Sequence, residues 1–72
     1  MNKFAENLKI YRTINGIAQK DLAKVLGVTQ SVVSKMEIGI QEPTLDILIK
    51  IADFFEISID ELIGHNENTT HY

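Results

Sequence analysis

The side chains with the clearest chemical potential form a short polar series whose spacing places them on one side of a helix. Ser31, Ser34 and Lys35 follow Gln30 by one, four and five residues. All four are short or flexible hydrogen-bonding groups, and only one of them is charged. A glutamine amide can donate to and accept from the edge of a single adenine, and a lysine can donate to guanine or to phosphate. Such a face suits the floor of a DNA major groove better than it suits catalysis.

Two short amphipathic helices joined by a tight turn, over residues 19–37, would hold this polar face in place. Their apolar residues recur at helical spacing: Leu22, Val25, Leu26, Val28, Val32, Val33 and Met36. Gly27 supplies the positive φ that the turn requires, and Ala23 is small where a second helix would press closest. Thr29 is the predicted N-cap of the second helix, because its hydroxyl can accept from the free N–H groups there.

The same stretch resembles the helix-turn-helix of the Cro/CI-type (XRE) transcriptional regulators. Residues that match the family at its relative spacing are Gln19, Leu22, Ala23, Leu26, Gly27, Val28, Gln30, Val33, Ser34, Met36 and Glu37. The resemblance runs from about Phe4 to Leu62, which is most of the chain. It implies an all-α, five-helix lambda-repressor-like DNA-binding domain, with helices 2 and 3 as the helix-turn-helix and helix 3 in the major groove.

The resemblance also implies a function and a set of contacts. The chain would be a sequence-specific regulator of double-stranded DNA, most simply a repressor, and would bind a near-palindromic operator as a homodimer. The residues that would read bases are Gln30, Ser31, Ser34 and Lys35. The residues that would contact the DNA backbone are Lys9, Arg12, Gln19, Gly39 and Gln41. Some relatives pair the counterparts of Arg12 and Glu37 near a phosphate, so an Arg12–Glu37 ion pair is expected, and two separate surface charges are the alternative. In the family the counterpart of Gln19 braces that of Gln30.

The charge distribution is compatible with DNA as a partner, although the net charge of the chain is negative. Residues 1–36 carry six basic and two acidic side chains, hence +4, whereas residues 37–72 carry one basic and eight acidic, hence −7, which together give the net −3. A polarised domain can turn its basic half towards phosphates. Chance, together with solvated helix surfaces, is the alternative explanation of this polarity.

The loop after the second helix, residues 38–43, departs from the family pattern. Relatives often have Asn-Gly-Lys/Arg-Arg-x-Pro here, and this chain keeps Gly39 and Pro43 but lacks the positive charges. Each lost phosphate contact lowers the salt slope of DNA binding by roughly 0.9, so weaker and less salt-sensitive binding is predicted. Ile38 and Ile40 leave open a second role for this loop, the binding of another protein.

The flanking helices are predicted from stripes and caps. Helix 1 is expected over residues 2–14, ended by Asn15-Gly16, and a poor N-cap, Ala18, precedes helix 2. After the N-cap Thr44, helix 4 carries two apolar stripes where a surface helix needs one. The first stripe contains Leu45, Leu48, Ile49, Ala52 and Phe55, and the second contains Ile47, Ile51 and Phe54.

This apolar excess predicts an exposed surface for a homodimer or a second protein, including Ile40, Ile47 and Phe54. The alternative is a broad stripe packed wholly inside. Ser58 and Glu61 form a predicted capping box for helix 5, which Gly64 ends. By resemblance, Ile57, Ile59 and Ile63 would lie near the two-fold partner.

Composition and missing motifs limit the other functions that the chain could have. The 72 residues suffice for one domain, expected over residues 1–64 with a flexible tail over 65–72, and there is no cysteine for disulfides or thiolate metal sites. Two tail histidines, His65 and His71, lack partners at fixed spacing, so no metal or cofactor is predicted. Without a glycine-rich phosphate loop or a catalytic constellation, no enzyme is predicted. Neither a signal peptide nor a membrane span is visible, and a cytoplasmic, bacterial or phage protein, nucleoid-associated when bound, is expected.

Overall fold

The computed structural model describes residues 3–65, and over this range the chain forms five helices and no strands. The helices are α1 (Phe4–Ile14), α2 (Gln19–Leu26), α3 (Gln30–Glu37), α4 (Leu45–Phe55) and α5 (Ile59–Ile63). The predicted all-α, five-helix fold is confirmed, although the predicted start of helix 1 at Asn2 lies outside the described residues. In this part of the chain, no helix has the length and apolarity needed to cross a membrane.

The helix starts follow from local side-chain chemistry. Thr29 and Thr44 each accept a hydrogen bond from the backbone N–H three residues on, at 3.3 and 3.2 Å. Ser58 and Glu61 form the predicted capping box of α5. Ala18, at the N-cap of α2, provides no side-chain bond, which costs that helix about 1 kcal/mol relative to a serine or threonine.

The helix ends use left-handed residues. Gly27 after α2 (φ 73°) and Gly39 after α3 (φ 84°) adopt the conformation that glycine takes without steric cost. After α4 the same position is held by Glu56, at φ 57°, where a side chain costs roughly 1–2 kcal/mol. At all three ends, the residue after the left-handed one donates to a carbonyl five residues back, which closes a Schellman turn.

A single core joins the five helices. Its buried apolar residues are Phe4, Leu8, Leu22, Ala23, Leu26, Val33, Met36, Leu48, Ile51, Ala52 and Leu62. α3 packs against α1 and α2, and α5 packs against α1 and α4. Helix α1 is therefore in contact with both the helix that carries the polar face and the last helix of the fold.

Helix α4 has more apolar residues than its buried side accommodates. The apolar residues that are buried and those that are exposed differ from the predicted ones. Leu45 and Ile49, placed in the first stripe, are 69% and 41% exposed. Ile47, expected on an exposed surface, is half-buried and packs against the core. The fully buried positions, Leu48, Ile51 and Ala52, have the i, i+3, i+4 spacing of one narrow face, which leaves Leu45 and Ile49 beyond its edge.

Candidate nucleic-acid interface

The polar series predicted to read bases lies along the outer side of α3. Gln30, Ser31 and Lys35 are exposed and Ser34 is half-buried, while Val33 on the opposite side is fully buried. Gln30 is the first residue of the helix, directly after its N-cap. Within residues 3–65 its side chain makes no hydrogen bond, so the amide N–H groups and oxygen are available to a ligand. The structure thus presents an exposed glutamine amide at the N-terminal end of α3.

The other end of α3 is fixed by a buried carboxylate. The side chain of Glu37 is only 2% exposed, and its two oxygens accept from Arg12 Nε at 2.5 Å and Arg12 Nη2 at 3.0 Å. Arg12 Nη1 donates to the carbonyl of Ile17 at 2.8 Å. This bidentate geometry confirms the predicted Arg12–Glu37 pair and ties α3 to α1.

Gln19 joins the same network, which differs from the expectation drawn from relatives. Its Nε2 donates to Glu37 Oε1 at 3.0 Å, and among the described residues it makes no hydrogen bond to Gln30. The physical reason is that an ionised carboxylate accepts a stronger hydrogen bond than a neutral amide oxygen. One carboxylate therefore connects the three helices α1, α2 and α3.

Arg12 is the cation of this network. Hydrogen bonding to Glu37 raises the pKa of the Arg12 guanidinium above its ordinary value, although partial burial opposes the shift. Three of its five N–H groups donate within the protein, and the other two have no partner among residues 3–65. Lys9, about one turn earlier on α1, is exposed and adds a second cation close to Arg12.

The loop after α3 offers fewer backbone donors than predicted. Gly39 N–H donates to the Met36 carbonyl at 3.3 Å and Ile40 N–H to the Lys35 carbonyl at 3.0 Å. The Gly39 N–H is thus engaged in ending α3, which counts against it as a phosphate donor. Gln41 N–H makes no hydrogen bond within the described residues and is the donor that the loop retains.

The residues predicted to meet a protein partner differ in exposure. Ile40 is 69% exposed and Phe54 39% exposed, whereas the others are half-buried and pack on the core: Ile47, Ile57, Ile59 and Ile63. Sequence reasoning missed two exposed apolar pairs at i, i+4 spacing, which are Ile10 with Ile14 and Leu45 with Ile49. For Ile10 and Ile14 a signal existed, because neither continues the helical spacing of Phe4 and Leu8, the buried residues of α1.

Among residues 3–65, the structure brings together no three histidine, cysteine, aspartate or glutamate side chains that could hold a metal ion. His65 is exposed. His71, with the rest of the tail predicted after residue 65, lies outside the described residues.

The comparisons with known proteins show the family and the fold of this chain. A family model described as helix-turn-helix matches residues 8–62. The chain is similar to an uncharacterised HTH-type transcriptional regulator of Methanocaldococcus jannaschii, with 36% identity over 61 residues that cover 85% of this chain and 92% of the relative.

Two solved structures have the same fold. One is the P22 c2 repressor protein in complex with a synthetic operator, with a TM-score of 0.79 and 27% identity over 83% of this chain and 91% of that one. The other is a SinR protein/SinI protein complex, with a TM-score of 0.78 and 27% identity over 92% of this chain and 65% of that one.

Proposed function

Since this chain belongs to the Cro/CI-type (XRE) helix-turn-helix family of DNA-binding transcriptional regulators, we propose that it is a repressor that binds a near-palindromic operator as a homodimer. The family is not an enzyme family, and the fold is lambda-repressor-like. The observation that carries the proposal is the exposed polar side of α3, which is anchored at Glu37 and begins at Gln30, a side chain with no hydrogen-bond partner among residues 3–65.

In this proposal α3 lies in the major groove with its N-terminal residues nearest the bases. Gln30 would pair with one adenine through both groups of its amide, and Lys35 would donate to guanine or to phosphate. Ser31 is exposed and can reach a base edge or a phosphate. Ser34, half-buried on the same side, would contact only a base or phosphate that approaches the helix closely.

The DNA backbone would be held on both sides of α3. Lys9 and Arg12 supply the charge, Gln19 supplies an amide at the N-terminus of α2, and Gln41 supplies a loop N–H. Backbone donors at a helix N-terminus favour anions such as phosphate. These contacts set the register of α3 and contribute no base preference by themselves.

A homodimer would join two copies through the surface formed by Ile57, Ile59 and Ile63, which are half-buried in the single chain. Two-fold symmetry then predicts two inverted half-sites about 34–36 Å apart. Binding to chromosomal or phage DNA would place the protein in the cytoplasm, on the nucleoid.

The proposal is tested by selecting bound duplexes from a random library at modest salt. We expect an enriched inverted repeat whose half-site centres lie about one helical turn apart. Enrichment of a single half-site would refute the homodimer but not DNA reading by α3. A folded protein that enriches no motif would refute sequence-specific binding itself.

The apolar loop gives a prediction about salt. In Ile40→Lys we expect a slope of log K against log salt that is steeper by about 1.8 per dimer, since each loop gains one phosphate contact. The matched control is Ile14→Lys, which introduces the same charge at a site 74% exposed, on the side of α1 away from Arg12. The slopes are measured by fluorescence anisotropy between 50 and 200 mM salt, the range over which such contacts are resolved. Equal slopes in the two variants would show that the loop lies away from the DNA backbone.

A second candidate function is protein binding by the same loop. Ile38 and Ile40 are 67% and 69% exposed, an unusual exposure for two isoleucines in one short loop. The solved structure of a SinR protein/SinI protein complex, which has this fold, is an assembly of two proteins. If a protein covers the loop, Ile40→Lys should abolish its binding while Ile14→Lys retains it.

A further inference from the structure

The end of α5 is closed by residues at the start of the chain. The side-chain amide of Asn7 donates to two α5 carbonyls, Glu61 at 3.2 Å and Leu62 at 3.0 Å. The backbone N–H of Lys3 donates to the carbonyl of Ile63 at 3.2 Å. Three successive carbonyl groups thus receive donors from residues 3 and 7. Together these three hydrogen bonds form the α1–α5 clasp.

Helix α5 depends on such donors because it is very short. Its five residues are too few for a helix that is stable in isolation, and its last carbonyls need donors from outside the helix. The Gly64 N–H supplies one of these donors, to the Glu61 carbonyl at 3.3 Å. Leu62 is its one fully buried side chain. The two segments also approach closely, since a Cβ added at Gly64 would lie 3.1 Å from the Cβ of Lys3. The clasp, together with the buried Leu62 and the packing of α5 against α4, therefore fixes where α5 lies on the domain.

Helix α1 links this clasp to the DNA-reading helix. Asn7 binds α5, and Arg12, five residues further along α1, binds Glu37 at the end of α3. Helix α1 thus connects α5 with α3 and fixes the position of one relative to the other. In the proposed homodimer, Ile59 and Ile63 of α5 face the second copy. The position of α5 on the domain therefore determines the distance between the α3 helices of the two copies.

We propose that Asn7 is a positioning residue of the homodimer. By holding α5 against α1, it sets the geometry in which two copies present α3 to the two half-sites. This inference rests on the proposed homodimer, and it assigns Asn7 no contact with DNA. Asparagine suits the role because its amide carries two N–H donors on a short side chain, enough for two adjacent carbonyl oxygens.

The test uses Asn7→Asp in the full chain. At neutral pH the carboxylate cannot donate and would face two carbonyl oxygens, so the clasp is lost. The matched control is Asn15→Asp, the same change at the residue that follows α1, because among the described residues the Asn15 side chain donates only to the Tyr11 carbonyl of α1, at 2.7 Å. Asn7→Ala is a second variant that removes the donors without adding charge, in case Asn7→Asp does not fold.

Hydrogen exchange and sedimentation give the two readouts. We expect the amides of residues 62–64 to exchange about tenfold faster in the Asn7 variants, with exchange in α3 unchanged, as for the loss of two modest hydrogen bonds. The dimer dissociation constant should rise by about tenfold for the same reason, whereas affinity for an isolated half-site stays the same. A merely local structural role would leave that dissociation constant unchanged.

The outcomes separate this inference from the function on which it rests. Unaltered exchange of residues 62–64 in Asn7→Asp and Asn7→Ala would overturn the clasp. Faster exchange with an unaltered dissociation constant would overturn the positioning role. Sedimentation of the wild-type chain is measured first, and a chain that stays monomeric with and without operator would overturn the homodimer, and the positioning role with it.

Discussion

Replacing Gln30 with alanine is expected to lower the affinity for the selected operator by about 30-fold or more while leaving the fold intact. A bidentate amide–adenine pair contributes about 1–3 kcal/mol of discrimination, and a homodimer would lose two of them. Gln30 is exposed and makes no hydrogen bond among the described residues, so its truncation should cost less than about 0.5 kcal/mol of stability. The measurements are competition binding against every base at the position that the wild type selects most strongly, and urea unfolding.

The matched control for this change is Gln41→Ala, which truncates an exposed glutamine in the loop after α3. Since a backbone contact carries no base preference, and the Gln41 donor is its main-chain N–H, the control should keep the wild-type motif. An unchanged motif in Gln30→Ala as well would remove α3 from the role of base reader. Loss of the motif in both variants would place the loop, and not only α3, at the bases.

Replacing Arg12 with methionine is expected to have the largest effect on stability. The change would leave the carboxylate of Glu37, only 2% exposed, with Gln19 as its remaining side-chain donor among residues 3–65. Removing one partner of a buried ion pair typically costs about 3–5 kcal/mol, and the lower end applies because the Arg12 side chain is 15% exposed. A domain of this size has only about 4–11 kcal/mol in total. Urea unfolding monitored by circular dichroism measures the loss.

A double-mutant cycle separates the pair from its parts. Arg12→Met with Glu37→Met should be less destabilised than the sum of the two single changes, because no buried charge is left alone. Lys9→Met is the control on the same helix, and because Lys9 is exposed it should change stability by less than about 0.5 kcal/mol. Additive single changes would mean that Arg12 and Glu37 contribute to stability independently, despite their short contact.

The sequence by itself determined the helices and most of their ends, although not the end of α4 at Glu56. Thr29 and Thr44 as N-caps, the Ser58–Glu61 capping box and Gly27 in the turn are all features of neighbouring residues, so the local chain carries their signal. The polar series on α3 was likewise visible, since a helix converts spacing into a face. The resemblance to the Cro/CI-type regulators added the tertiary arrangement and the Arg12–Glu37 pair, which periodicity could not supply.

Only the tertiary structure decided which hydrogen bonds form between residues that are distant in the chain. A hydrogen-bond donor binds the strongest acceptor within reach, so Gln19 donates to Glu37 and not to Gln30, and Asn7 donates to α5 across more than fifty residues of sequence. Competition for donors also engages the Gly39 N–H with the end of α3. On α4, periodicity offers several apolar positions as equals, and the neighbouring helices leave Leu45 outside the core. Such choices depend on which groups the fold brings within about 3 Å, a distance that no sequence spacing specifies.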